Sequence, residues 1–183
     1  MEENKQKISG VKNWLNFTWE ILKIVIISLA IIIPIRYFLI QPFFVKGASM
    51  EPNFLNGDYL IVDEISYRLN APQRGDVVIF RYPLDPSQFF IKRVIGLPGE
   101  KVKVMDEHVF VNDKLLDETK YLQGVDTAGN VEVVLGNDEY FVLGDNRQAS
   151  SDSRRWGEVN KKFIIGRAWL RAWPFNRLGV VNK

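Results

Sequence analysis

"GDVVIFRYPLDPSQFFIKRVIGLPGE", Gly75 to Glu100, holds two runs of β-branched and aromatic residues around a proline-rich break at Pro83–Pro86. Such residues suit a pleated, half-buried surface, and prolines interrupt it, so the stretch predicts two strands. The pattern continues outward on both sides. "YLIVDEI", "EKVKVM", "HVFVNDKLL", "VEVVL", "EYFVLGD" and "IGRAWLRAW" read as further strands. Between them stand Gly57-Asp58, Pro72, Pro98-Gly99, Asn112-Asp113, Ala128-Gly129 and Gly136-Asn137. Many short strands with no long helical pattern after Leu60 predict a mainly β body, a partly closed, antiparallel, barrel-like sheet. Residues 100–135, rich in charge and turns, read as a small hairpin lobe appended to it. No internal repeat and no low-complexity tract interrupts the chain.

Composition narrows the chemistry. The 183 residues suit one modest domain plus an appendage, and a net charge of +2 gives no reason to expect a nucleic acid partner. With no cysteine, disulfides, thiol nucleophiles and thiolate metal sites are excluded together. The single histidine, His108, sits at a Met-Asp-Glu-His turn and reads as an exposed turn residue. No metal-binding spacing is present, and neither a metal nor a cofactor is called for. Hydrolytic chemistry here would need a base other than histidine.

Before the β body lies "WEILKIVIISLAIIIPIRYFLIQPF", Trp19 to Phe43. Its centre, Ile24 to Ile35, is apolar apart from Ser28 and Pro34. It reaches the roughly 20 residues a bilayer requires if Lys23 and Arg36 carry their charges to the two surfaces. Trp14, Trp19, Tyr37 and Phe38 stand where interfacial anchors would. A buried core helix would show a polar stripe, and a cleaved leader would end in a small-x-small site; neither feature is seen. The reading is one retained N-terminal transmembrane helix over 19–43, with 1–18 a short cytoplasmic segment. Lys5, Lys7, Lys12 and Lys23 put the N-terminus on the cytoplasmic side, and residues 44–183 outside the cytoplasm.

Three stretches could carry chemistry. In "FFVKGASMEP", Gly47 and Pro52 frame Ser49 in a tight turn, which suits either an idle loop serine or an exposed nucleophile with an oxyanion-binding N–H. A serine needs a base, and Lys92 lies mid-strand on the face of Phe90 and Val94. There it either snorkels to solvent or is buried; burial that lowers its pKa by about three units makes it a working base. "GDNRQASSDSRRWG", Gly144 to Gly157, reads as a solvated polar loop or as a support for that amine.

In their order along the chain, the apolar segment, "GASMEP", "RGDVVIF", "FIKRVIGLPGE", "GDNRQASSDSRRWG" and the C-terminal "GRAWLRAWPFNRLG" resemble the bacterial type I signal peptidases, or leader peptidases. The resemblance covers nearly the whole chain. It implies a membrane-anchored serine endopeptidase that cuts signal peptides from exported preproteins after small residues of the Ala-x-Ala type. By position it implies Ser49 as nucleophile and Lys92 as general base. Ser150 is implied as a hydrogen-bond partner of the Lys92 amine, with Asp152 and Arg154 bracing the site. Val45, Met50, Phe54 and Ile91 are implied as pocket residues. Two departures stand out. Gly47 has no hydroxyl to serve as a second oxyanion donor, leaving backbone or water. Asn53-Phe54 replaces the usual Thr-Leu, and Phe54 is expected to narrow the pocket. The implied partners are secretory preproteins, the lipid bilayer and the secretion machinery. Two other classes compete: a self-cleaving repressor with a similar serine and lysine strand, which would need a DNA-reading domain, and a non-catalytic tethered peptide-binding module.

Overall fold

In the computed structural model, the described residues are 14, 16–32, 41–122 and 124–181. The chain forms two compact units, residues 1–39 and 40–183. In the first, residues 16–32 form a helix (α1) whose side chains are exposed all round. Among the described residues no helix is both long and apolar enough to cross a bilayer. Pro34, Arg36, Tyr37 and Phe38, which the expected transmembrane segment also requires, lie outside the described residues. So do Lys5, Lys7 and Lys12.

The second unit is mainly β and antiparallel throughout. Its larger sheet runs β1 (Gln41–Phe44), β2 (Tyr59–Asp63), β11 (Ile164–Trp173), β3 (Val77–Tyr82), β4 (Asp85–Gly96), β9 (Glu139–Leu143) and β10 (Val159–Asn160), with β12 (Gly179–Val180) paired to β11. The smaller sheet orders β7 (Lys114–Leu115), β6 (His108–Val111), β5 (Lys101–Met105) and β8 (Val131–Val134). Its strands lie within residues 101–134. The barrel-like expectation needs correction. Among the described residues β1 and β10, the two ends of the larger sheet, do not pair with each other, so it stays open. Closure is prevented because β10 is only two residues long and leads through a 3₁₀ turn, Lys161–Phe163, back to β11 at the sheet's centre.

Two further readings change. Gln41–Phe43, the tail of the expected transmembrane stretch, and Phe44 after it pair with β2 from Gln41↔Val62 to Phe44↔Tyr59. Ile65, read as the end of a strand, opens a short helix, α2 (Ile65–Leu69), whose Ser66 donates its N–H and its hydroxyl to the Asp63 carboxylate. Pro86 lies inside β4, and the break is the two residues Pro83 and Leu84. His108 is exposed, as expected, and opens β6 in the lobe.

Burial explains why "VVIF" carries no polar alternation. Val77 and Ile79 pack with Val45, Leu60, Val62 and Ala168 on one face. Val78 and Phe80 pack with Val94, Tyr140, Val142 and Val159 on the other. A strand buried on both faces reads as a continuous apolar run. A third core, around Val102, Val104, Val109 and Leu135, takes in Ile95, Phe141 and Leu143 and joins the lobe to β4 and β9.

Candidate active site

Ser49 sits in a turn whose neighbours are fastened from below. The Glu51 N–H donates to the Ala48 carbonyl at 3.1 Å and the Phe54 N–H to the Met50 carbonyl at 2.9 Å. Met50 and Phe54 sink into the first core at 1% and 2% exposure. Gly47, at φ +90°, starts the turn and donates its N–H to Asn56 Oδ1 at 3.0 Å. A residue with a β-carbon rarely adopts that conformation. With Met50 and Phe54 directed into the core, Ser49 is left half-buried at the surface of a cleft.

Lys92 enters from β4, where it pairs in register with Val78. Its side chain is buried, and its Nζ lies 2.8 Å from Ser49 Oγ and 2.9 Å from the Ile91 carbonyl oxygen. The Phe90 ring centre is 5.3 Å away. Burial pulls the amine's pKa down to about 8, against smaller upward pulls from the Asp152 and Asp145 carboxylates. About a tenth of a group with that pKa is neutral at pH 7, against roughly 0.03% of an ordinary lysine.

The glycine-bounded loop closes over the back of the serine. The Asn146 N–H donates to the Ser49 carbonyl at 3.0 Å. Asp152 accepts from the Gly144 N–H at 3.1 Å and caps α3 (Ser153–Trp156). Arg154 grips the same carboxylate through Nε at 2.8 Å and Nη2 at 2.9 Å, and reaches the Arg147 and Ala128 carbonyls. Ser150 differs from expectation. It is buried beside Gly144, but its Oγ makes no hydrogen bond among the described residues, while the Lys92 amine meets Ser49 Oγ and the Ile91 carbonyl.

The cleft in front of Ser49 and Lys92 has a volume of about 710 Å³ and is lined mostly by Phe43, Phe44, Val45, Leu60, Ile79 and Phe89–Ile91. Val45 and Ile91 are among the lining residues. Met50 and Phe54 are not among the lining residues, so Phe54 fills the core and does not narrow the cleft. Their adjacency to Ser49 in sequence misleads because the turn directs them away from it.

Sequence reasoning also passed over a buried pair. Arg93 holds Asp145 through Nε at 2.8 Å and Nη2 at 2.6 Å, and its Nη1 reaches the Gly75 carbonyl. Asn53 adds a bond to Asp145 Oδ2 at 2.8 Å. A signal was present: Arg93 follows Lys92 in a strand, which turns it to the opposite face, where the loop supplies an acid. Leu60 and Ile79 were read only as strand residues.

A hydroxyl touching a buried amine at the wall of a peptide-sized apolar cleft, on an antiparallel β scaffold, points to the hydrolases, and among them the peptidases. Comparison with known proteins narrows this. Residues 18–173 match the family described as "Signal peptidase, peptidase S26". The probable signal peptidase I-2 of Synechocystis sp. is 40% identical over 188 residues, covering 99% of this chain and 84% of the relative. Signal peptidase I of Leptolyngbya laminosa is 42% identical over 166 residues, 86% of this chain and 81% of that one. Signal peptidase IB of Staphylococcus aureus is 34% identical over 172 residues, 82% and 89% respectively. The chain belongs to the signal peptidase family, peptidase S26.

Proposed function

We infer that the chain is a Ser-Lys endopeptidase that cleaves signal peptides from preproteins after small residues, and that a membrane anchor holds it where those peptides emerge. The observation that carries the dyad is the 2.8 Å contact between Ser49 Oγ and a Lys92 amine whose pKa is lowered to about 8. In its neutral form the amine accepts the serine proton. Ser49 Oγ then bonds the carbonyl carbon before the cut, and Lys92 passes the proton to the leaving amine as the C–N bond breaks. A water attacks the resulting ester, giving its proton to Lys92, and the serine is regenerated as the ester bond breaks. The Ser49 N–H is the oxyanion donor in this reading, with backbone or water as the second. The cleft's apolar walls favour an extended segment with small apolar side chains, which supports the Ala-x-Ala preference.

The exposed apolar side chains of α1 support the anchoring reading, since such a surface is costly in water and stable in lipid. On it, residues 44–183 are extracytoplasmic and the N-terminus is cytoplasmic. Purified full-length chain in detergent, given a preprotein with an Ala-x-Ala site, should cut there, while folded Ser49→Ala and Lys92→Ala should not. Equal cutting by the variants, or none by folded wild type, would replace this reading with that of a peptide-binding module.

A further inference from the structure

Among its described residues, the segment between β7 and β8 (residues 116–130) has no regular strand or helix, yet it contacts Asn53, Arg93, Arg147 and Arg154 around the reaction centre. Its anchor is Glu118. Arg147, 2% exposed and two residues beyond Asp145, donates Nη1 to Glu118 Oε2 at 2.9 Å and Nη2 to Glu118 Oε1 at 2.5 Å. Nη1 also meets Thr127 Oγ1. A planar guanidinium gripped by both carboxylate oxygens is held in orientation as well as in place. The other end of Arg147 is therefore aimed: its Nε donates to the Gly144 carbonyl at 3.1 Å.

Gly144 is where aim becomes consequential. A β-carbon there would stand 2.4 Å from the Ser49 carbonyl oxygen and 2.2 Å from Ser150 Oγ, so the loop backbone lies directly against the nucleophile's own peptide. The rest of the Glu118 turn repeats the connection. Tyr121 donates its hydroxyl to Glu118 at 2.9 Å, and its carbonyl accepts from Asn53, four residues after Ser49, at 2.9 Å. Its ring lies under the Arg93 guanidinium, 4.2 Å away, next to Lys92.

We propose that Glu118, a lobe residue outside the cleft, is a positioning residue for the reaction: by orienting Arg147 it holds the Gly144–Asp145 backbone against Ser49 and keeps water from the Lys92 amine. The inference rests on the Ser49–Lys92 reading above. The Lys92 amine is faced by Ser49 Oγ, the Ile91 carbonyl, the Phe90 ring and the carboxylates of Asp152 and Asp145. Glu118 is not one of these groups. Neutralising it therefore reaches Lys92 through a moved loop rather than through its own charge. A retracted loop admits water, and since burial is the largest influence on the amine, its pKa moves up toward the ordinary lysine value.

The test uses full-length chain in detergent, with the Lys92 titration followed by NMR of ¹³Cε-labelled lysine and assigned by its loss in Lys92→Met. In Glu118→Gln the Lys92 midpoint rises by about one unit or more. Its kcat falls about tenfold or further, with KM little changed because the cleft wall is intact. The double variant Glu118→Leu/Arg147→Met, which leaves no unpaired buried charge, regains thermal stability but neither the wild-type midpoint nor kcat. An unchanged midpoint in folded Glu118→Gln overturns the proposal, as does a double variant with the wild-type midpoint. The double variant decides the matter if Glu118→Gln does not fold. Folded wild type that cuts nothing would instead remove the peptidase reading, and the midpoint comparison would still decide the role of Glu118.

Discussion

Around Lys92, burial outweighs the two carboxylates that favour its charged form, and the balance brings the amine's pKa down to about 8, within reach of the base role proposed for it. The sign of the pH dependence follows. The reactive form is neutral, so kcat/KM should climb with pH and level off above an apparent pKa of about 8. A profile recorded from pH 6 to 10 that rises only near the ordinary lysine value would show that the base is exposed in solution. Phe54 makes a second residue-scale prediction. As a core side chain at 2% exposure, its truncation to alanine should cost about 3–5 kcal/mol in denaturant unfolding and leave the preference for the residue before the cut unaltered. The closeness of Ser49 to Lys92 and of Asp152 to Arg154 could be looked for from sequence because each residue stands in a short motif. Met50 and Phe54 were misplaced because a motif gives order along the chain, whereas the hydrogen bonds of a turn decide which side chains face in.

Among the elements, the Gly144–Gly157 loop and the β3–β4 hairpin do different work. The hairpin supplies a rigid rail for Lys92, held in register from Val77↔Arg93 to Arg81↔Phe89. The loop supplies a lid pressed against the serine, with Gly144 as the closest approach. Gly144→Ala should therefore fold, since the clash falls on a loop, but lose about a hundredfold in kcat as the loop lifts from Ser49. Near-wild-type turnover with an unaltered circular dichroism spectrum would refute that close contact. The long strands were readable from their apolar runs and breakers. β7, β10 and β12, two residues each, are too short to show a period at all. β1 was hidden for another reason: an apolar run looks alike in a buried strand and in a membrane helix, and only its pairing with β2 separates the two.

For the molecule as a whole, the sheets, the lobe and the cleft belong to one compact unit, residues 40–183, and α1 to the other. A chain shortened to 40–183 should keep a cooperative melt and Ser49-dependent cleavage of a soluble peptide. Complete loss of cleavage in the folded fragment would mean that the first unit helps to build the site. The mainly β architecture and the appended lobe could be anticipated from patterning, but the open larger sheet could not, because closure depends on whether the end strands meet. The contact at Gly144 also bears on heredity. Every amino-acid replacement of a glycine adds at least one carbon, and here that carbon meets Ser150 Oγ and the Ser49 carbonyl together. No amino-acid replacement at that position is a small step. Moving Ser150 aside would relieve only half of the overlap, since the other half is main chain. This position is thus closed to gradual drift, and descendants of this gene can explore new specificities along the cleft walls far more freely than they can rebuild the floor beneath the serine.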